Sequence, residues 1–195
     1  NAVLDAVPPF AAAEVEGLMG EGIGATVEKA LRARGCDATE ARVCELRQRL
    51  LRHYISNPVV ATRPYPDALD VLAELNRKGV AVGVCTNKAE APARLVLEHT
   101  GLMAHIGAVV GGDSGYGLKP AAAPLRGCAN LLGVALQKTT YVGDHAVDLA
   151  AGRAAGVRVV LVTYGYTKAG VVTTLSADAT IGSLRELPVV LSHSL

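Results

Sequence analysis

The chain has 195 residues, half of them hydrophobic, enough for one domain of ordinary size or a core with a small appendage. The 19 Lys and Arg nearly cancel the 18 Asp and Glu, and no block of like charge occurs, which argues against nucleic-acid and membrane-surface binding. Aromatic residues make up only 4 %, with no Trp and one Phe, and Ala, Val, Leu and Gly prevail, as in Val-rich strands alternating with Ala/Leu-rich helices.

In chain order, the first sixty residues show only helical periodicity. Val27, Ala30 and Leu31 share a face ahead of Gly35, and Val43, Leu46, Leu50 and Tyr54 repeat at helix spacing after a cap at Asp37 or Thr39. The stretch SNPVVATRPYP at 56–66 holds three prolines and predicts a hinge. Beyond it, Pro66 suits a first helical turn, Leu69, Leu72 and Leu75 form an apolar stripe, and Gly79 ends the helix. Strands at 80–84, 107–110, 139–142 and 157–163 then alternate with helices at 89–100, 121–132 and 147–155. The expected fold is α/β: a Rossmann-like parallel sheet with helices on both faces, ligands binding beyond the carboxyl ends of the strands, and a small all-helical cap. The division expected is a cap over 1–62 and a core over 63–195.

Cys36, Cys44, Cys85 and Cys128 are scattered and read as small buried hydrophobes of a reducing compartment. No apolar run approaches the ~18 residues of a membrane helix, and no basic-then-apolar leader begins the chain, so a cytoplasmic protein is expected.

Three strand ends carry polar residues suited to one task. VAVGVC runs into Thr86-Asn87-Lys88, which sets a hydroxyl and an amide beside the N–H groups of a helix start, a phosphate-holding arrangement that equally describes a capping turn. GGDSGYGLKP ends in Lys119-Pro120, a cation able to neutralise a phosphoryl oxygen, unless it is simply an exposed lysine. YVGD places Asp144 one Gly after a strand, with Asp148 four residues on. Two carboxylates on one side of such a turn repel unless a cation lies between them, and hard oxygen ligands suit Mg²⁺.

Thr86, Lys119, Asp144 and Asp148 at successive strand ends resemble the second, third and fourth motifs of the haloacid dehalogenase superfamily of phosphohydrolases. VCTNK, VVGGDS, KP followed by AAAPL, and YVGD-x-x-x-D look most like its phosphoglycolate phosphatase branch, with LMGEGIGATVEKAL similar to the substrate-facing cap segment and RPYPD to the return hinge. The resemblance implies that Thr86 and Asn87 bind the phosphoryl group, Lys119 stabilises its charge, Gly22 faces the substrate, Asp144 ligates Mg²⁺ and Asp148 orients the metal's water shell.

The family's first motif, D-x-D-G-T, supplies the nucleophile and the acid/base on the central strand of the sheet, and the sequence has no match to it. Asp5, in LDAVPPF, lacks the second acid and the Gly-Thr turn. NAVLDAV resembles the helix that follows that motif, so the nucleophile is expected upstream of Asn1. His145 stands where the family has a small residue, and reads as a histidine turned outward at a helix start. The function expected is a Mg²⁺-dependent phosphomonoesterase of a small phosphorylated, phosphoglycolate-like metabolite acting through an aspartyl-phosphate. The alternative is a non-catalytic or truncated relative that binds phosphate or a protein partner.

Overall fold

The structure, a computed structural model, describes residues 9–11, 14–15, 17–18, 21–56, 59 and 62–192. Asp5 with its NAVLDAV segment, Gly20, and Asn57, Pro58, Val60 and Ala61 of the expected hinge lie outside them.

Helix α1 (Ile23–Ala33) buries Val27, Ala30 and Leu31, the face the sequence predicts. It stops because Gly35 takes φ 66, which lets Gly35 N–H reach Arg32 O and Cys36 N–H reach Leu31 O, both at 3.0 Å. Helix α2 (Glu40–Ser56) starts behind Thr39, whose carbonyl accepts Val43 N–H at 2.9 Å and whose hydroxyl accepts Arg42 N–H at 3.4 Å. The two helices share a cluster of their own, Val27, Leu31 and Leu46, ringed by Val43 and Leu50.

Helix α3 (Ala68–Arg77) departs from the predicted stripe. Asp67 adopts φ 64, so Pro66 lies in the preceding turn and the inward pair is Val71 and Leu75, while Leu69 is 41 % exposed. The next strand is also shorter than predicted. Val80 N–H still bonds Leu75 O at 3.0 Å to close the helix end, and β1 is only Gly83–Cys85.

Strand β1 pairs in parallel with β2 (Ala108–Val110) across α4 (Glu90–His99). After α5 (Ala123–Leu131), β3 (Thr140–Gly143), α6 (Ala146–Ala155) and β4 (Arg158–Val162) continue the alternation. It is Pro124, not Pro120, that sits in the first turn of α5. A strand that periodicity had not revealed, β5 (Ala179–Ile181), completes a parallel β3-β4-β5 ladder, flanked by the short α7 (Ala169–Val172) and α8 (Leu187–Ser192).

The RVVLV run of β4 shows why the sheet is covered on both faces. Val160 and Val162 pack with Val71, Leu75 and Leu187 of α3 and α8, whereas Val159 and Leu161 pack with Val172 of α7 and Leu149 of α6. The fold is therefore α/β with parallel strands, as expected. Its ladders are two, however: β1-β2 and β3-β4-β5, with β1 and β3 meeting at a seam they do not bridge by backbone hydrogen bonds. Among the described residues no helix is long and apolar enough to cross a membrane.

Candidate active site

The predicted site residues gather where the strands end beside this seam. Asp148, in the first turn of α6, is buried with its side chain 7 % exposed, and all its acceptor capacity is used. Oδ1 accepts Lys119 Nζ at 2.6 Å and the Tyr141 hydroxyl at 3.1 Å, and Oδ2 accepts the N–H groups of Asp144 and His145, each at 3.1 Å. Burial would raise its pKa. The Lys119 charge and hydrogen bond, the Asp144 N–H and the Tyr141 hydroxyl outweigh that and hold the carboxyl below the usual aspartate range. In this arrangement the carboxylate anchors Lys119 and the β3–α6 turn.

Asp144 is in a different state. Its Oδ2 accepts Tyr166 N–H at 2.7 Å, and among the described residues no donor reaches Oδ1. Gly165 permits this position, because a Cβ there would collide with the Asp144 carboxylate. Among the described residues no three His, Cys, Asp or Glu side chains form a metal cage. The donor set nevertheless fits Mg²⁺, which keeps several waters and takes one or two carboxylates together with substrate phosphate. Asp144 is the residue that would hold it.

His145 caps α6. Its Nδ1 accepts Val147 N–H at 3.2 Å, which puts the proton of the neutral ring on Nε2, and its own N–H is tied to Asp148.

Thr86 donates its N–H to Val110 O at 2.9 Å, extending the β1-β2 pairing, and its Oγ1 accepts Lys88 N–H at 3.1 Å. The hydroxyl proton is thereby left to donate outward, as a phosphoryl oxygen requires. Asn87 also has a structural task. Only 7 % exposed, it clamps the lysine loop: Nδ2 donates to Lys119 O at 3.0 Å and Oδ1 accepts Lys119 N–H at 2.8 Å. The amide fixes the separation of the Thr86 and Lys119 loops.

Tyr141 is the member the sequence did not disclose. Its hydroxyl accepts from Lys119 Nζ at 2.8 Å and lies 3.1 Å from both Cys85 O and Asp148 Oδ1, so one oxygen spans the seam from β3 to β1. Burial, then the Asp148 charge, drives its pKa well above 10 and keeps it protonated. Burial likewise pushes the adjacent Cys85 thiol up to about 12, an inert group.

The helical pair approaches these loops at two points. Gly22, at φ 95 before α1, lies so close that a Cβ would stand 3.4 Å from Asn87 O and 3.8 Å from Leu118 Cδ1. Lys88 Nζ lies 3.9 Å from the centre of the Tyr54 ring on α2.

The sequence pattern of the haloacid dehalogenase-like hydrolases matches residues 5–162. The chain belongs to this family. It is 41 % identical over 172 residues to the phosphoglycolate phosphatase of Rhodospirillum rubrum, covering 84 % of this chain and 70 % of that protein. It is 37 % identical over 187 residues to the phosphoglycolate phosphatase of Cereibacter sphaeroides, covering 96 % and 84 %. The crystal structure of a predicted phosphoglycolate phosphatase from Haemophilus somnus superposes with a TM-score of 0.85 at 23 % identity, over 97 % of this chain and 87 % of that one, which establishes the shared fold. This haloacid dehalogenase-like hydrolase is accordingly of the phosphatase type.

Proposed function

We propose that this chain carries the phosphate- and Mg²⁺-binding groups of a phosphomonoesterase acting on a small phosphorylated metabolite of the phosphoglycolate kind. The observation that carries the reading is the set formed by the free Thr86 hydroxyl proton, the buried Lys119–Asp148 pair and the open oxygen of Asp144 around one seam. The names of the relatives support the substrate class. The separate cluster of α1 and α2 supports a cap over 1–62 and a core over 63–195.

In this reading Thr86 donates to one phosphoryl oxygen. Lys119, held by Asp148, Tyr141 and the Asn87 clamp, presents its charge to another without having to reorganise. Mg²⁺, when bound at Asp144, supplies charge neutralisation and in-line orientation. A carboxylate nucleophile standing beside the seam between β1 and β3 would reach the phosphorus in line, forming an O–P bond as the P–O bond to the alcohol breaks, so that the alcohol leaves and an aspartyl-phosphate remains for water to hydrolyse. Thr86 and Lys119 hold phosphate but do not attack it.

The test is phosphate release from 2-phosphoglycolate by these 195 residues, and by the same residues extended with a segment bearing D-x-D-G-T. The expected result is no hydrolysis by the first and Mg²⁺-dependent hydrolysis, abolished by a chelator, by the second. Turnover by the unextended chain would overturn the nucleophile assignment, and an inactive extended protein would overturn the enzymatic reading.

A further inference from the structure

Lys88 is unusually placed for a lysine. Its backbone is pinned twice, by its N–H on Thr86 Oγ1 at 3.1 Å and by its carbonyl, which accepts Gly112 N–H at 2.8 Å. The side chain is half-buried and crosses from the core to α2, where the ammonium meets the face of Tyr54. Among the described residues no carboxylate pairs with it, whereas the neighbouring Lys119 is neutralised by Asp148 at 2.6 Å. A π face attracts a cation but carries no net charge, so the positive charge of Lys88 remains uncompensated, two residues from the hydroxyl that holds phosphate. The backbone of Gly22 approaches the neighbouring residue, where a Cβ on it would stand 3.4 Å from Asn87 O.

We infer that Lys88 is the receptor for a second anionic group of the substrate, a carboxylate within a few atoms of the phosphate, and that Tyr54 is the partner that holds the ammonium until that carboxylate arrives. The inference rests on the reading of Thr86 as the phosphoryl-binding residue. A carboxylate offers Lys88 a full opposite charge and a directed hydrogen bond in place of the ring, whereas a neutral-tailed phosphomonoester offers nothing. Selection among phosphate esters then lies in a residue of the core loop, with the cap supplying its resting contact.

The experiment is calorimetric titration of the chain with inorganic phosphate, ethyl phosphate and 2-phosphoglycolate, for wild type, Lys88→Met and Lys88→Arg, with thermal melting as the check on folding. Wild type is expected to bind 2-phosphoglycolate about tenfold or more tightly than ethyl phosphate, the worth of one charge-assisted hydrogen bond. In Lys88→Met that ratio is expected to fall to within about twofold of unity, and in Lys88→Arg to survive in large part. A ratio unchanged in a folded Lys88→Met protein overturns the inference, as does a wild type that binds phosphate without preferring the carboxylate ester. Failure of wild type to bind inorganic phosphate at all would instead overturn the reading of the Thr86 site, and the inference with it.

Discussion

On one side of the seam β4 lies wholly in the interior, with Val159, Val160 and Leu161 at 0 % exposure, and the turn beside it holds Asp148 by four donors. On the other side β1 is three half-buried residues, and the loop after it sends Asn87 to the lysine loop and Lys88 to the cap. The contrast teaches how the work is divided. At the end of the β3-β4-β5 ladder local packing fixes Asp148 in one arrangement, whereas the loop after β1 sends its side chains outward to other loops and to α2.

The largest expected effect breaks the deep side at its one open acceptor. In the D-x-D-G-T-extended protein, Asp144→Asn should lower kcat by about two to three orders of magnitude while leaving the melting temperature near wild type, because it removes charge at the metal without uncovering a buried ion. Turnover within a few-fold of wild type at saturating Mg²⁺ would refute the assignment.

Lys119→Met should show the reverse balance, with a large loss of stability as well as of activity. It strands the Asp148 carboxylate in the interior, at a cost of about 3–5 kcal/mol in denaturant unfolding. A double variant, Lys119→Met with Asp148→Leu, should recover much of that loss, which tells a stranded charge from lost packing.

Tyr141→Phe sharpens the comparison at the seam itself. Removing the hydroxyl leaves Cys85 O and part of the Asp148 carboxylate unsatisfied, a loss of about 1–3 kcal/mol. Its kinetic signature is a fall in kcat with KM little changed, since the hydroxyl only orients Lys119.

The smallest effect is on acid sensitivity. Because the folded pKa of Asp148 lies below the unfolded value, near 3.8, the stability it contributes is fully present above that value and is lost as pH falls through the lowered one. Unfolding free energies between neutral pH and pH 3 should therefore decline less steeply in Asp148→Asn than in wild type. Equal slopes would show that other carboxylates govern the acid limb.

Much of this was legible in the sequence because a polar residue straight after an apolar run marks a strand's carboxyl end, as at Thr86 and Asp144, while Lys119 closes a Gly-rich loop before a helix and Asp148 follows Asp144 by four residues. Tyr141 gave no such signal. Inside TTYV it reads as one more strand residue, and only the tertiary packing of β3 beside β1 brings its hydroxyl to Lys119. The direction of the Asn87 amide was equally hidden, since it depends on a loop thirty-two residues away. Gly165 and Tyr166 complete Asp144 from beyond β4, a contact that no local spacing encodes. In the fold, Leu75 of the predicted α3 stripe is buried, but Val71 and not Leu69 turns inward with it, because the helix starts after the left-handed turn at Asp67. Strand β5, three residues long, is too short for periodicity to show.

The stacking of Lys88 on Tyr54 also has an optical consequence. The chain contains no tryptophan, so Tyr54→Trp would introduce a single indole where the Lys88 ammonium from the core touches a ring of the helical pair. Indole gives the strongest of the cation–ring contacts, so the substitution should preserve the stacking. A nearby ammonium alters indole emission, and its departure should change both the intensity and the colour of the fluorescence. Light emitted from α2 would then report when the core loop releases the ring, in real time and without any label added to the protein.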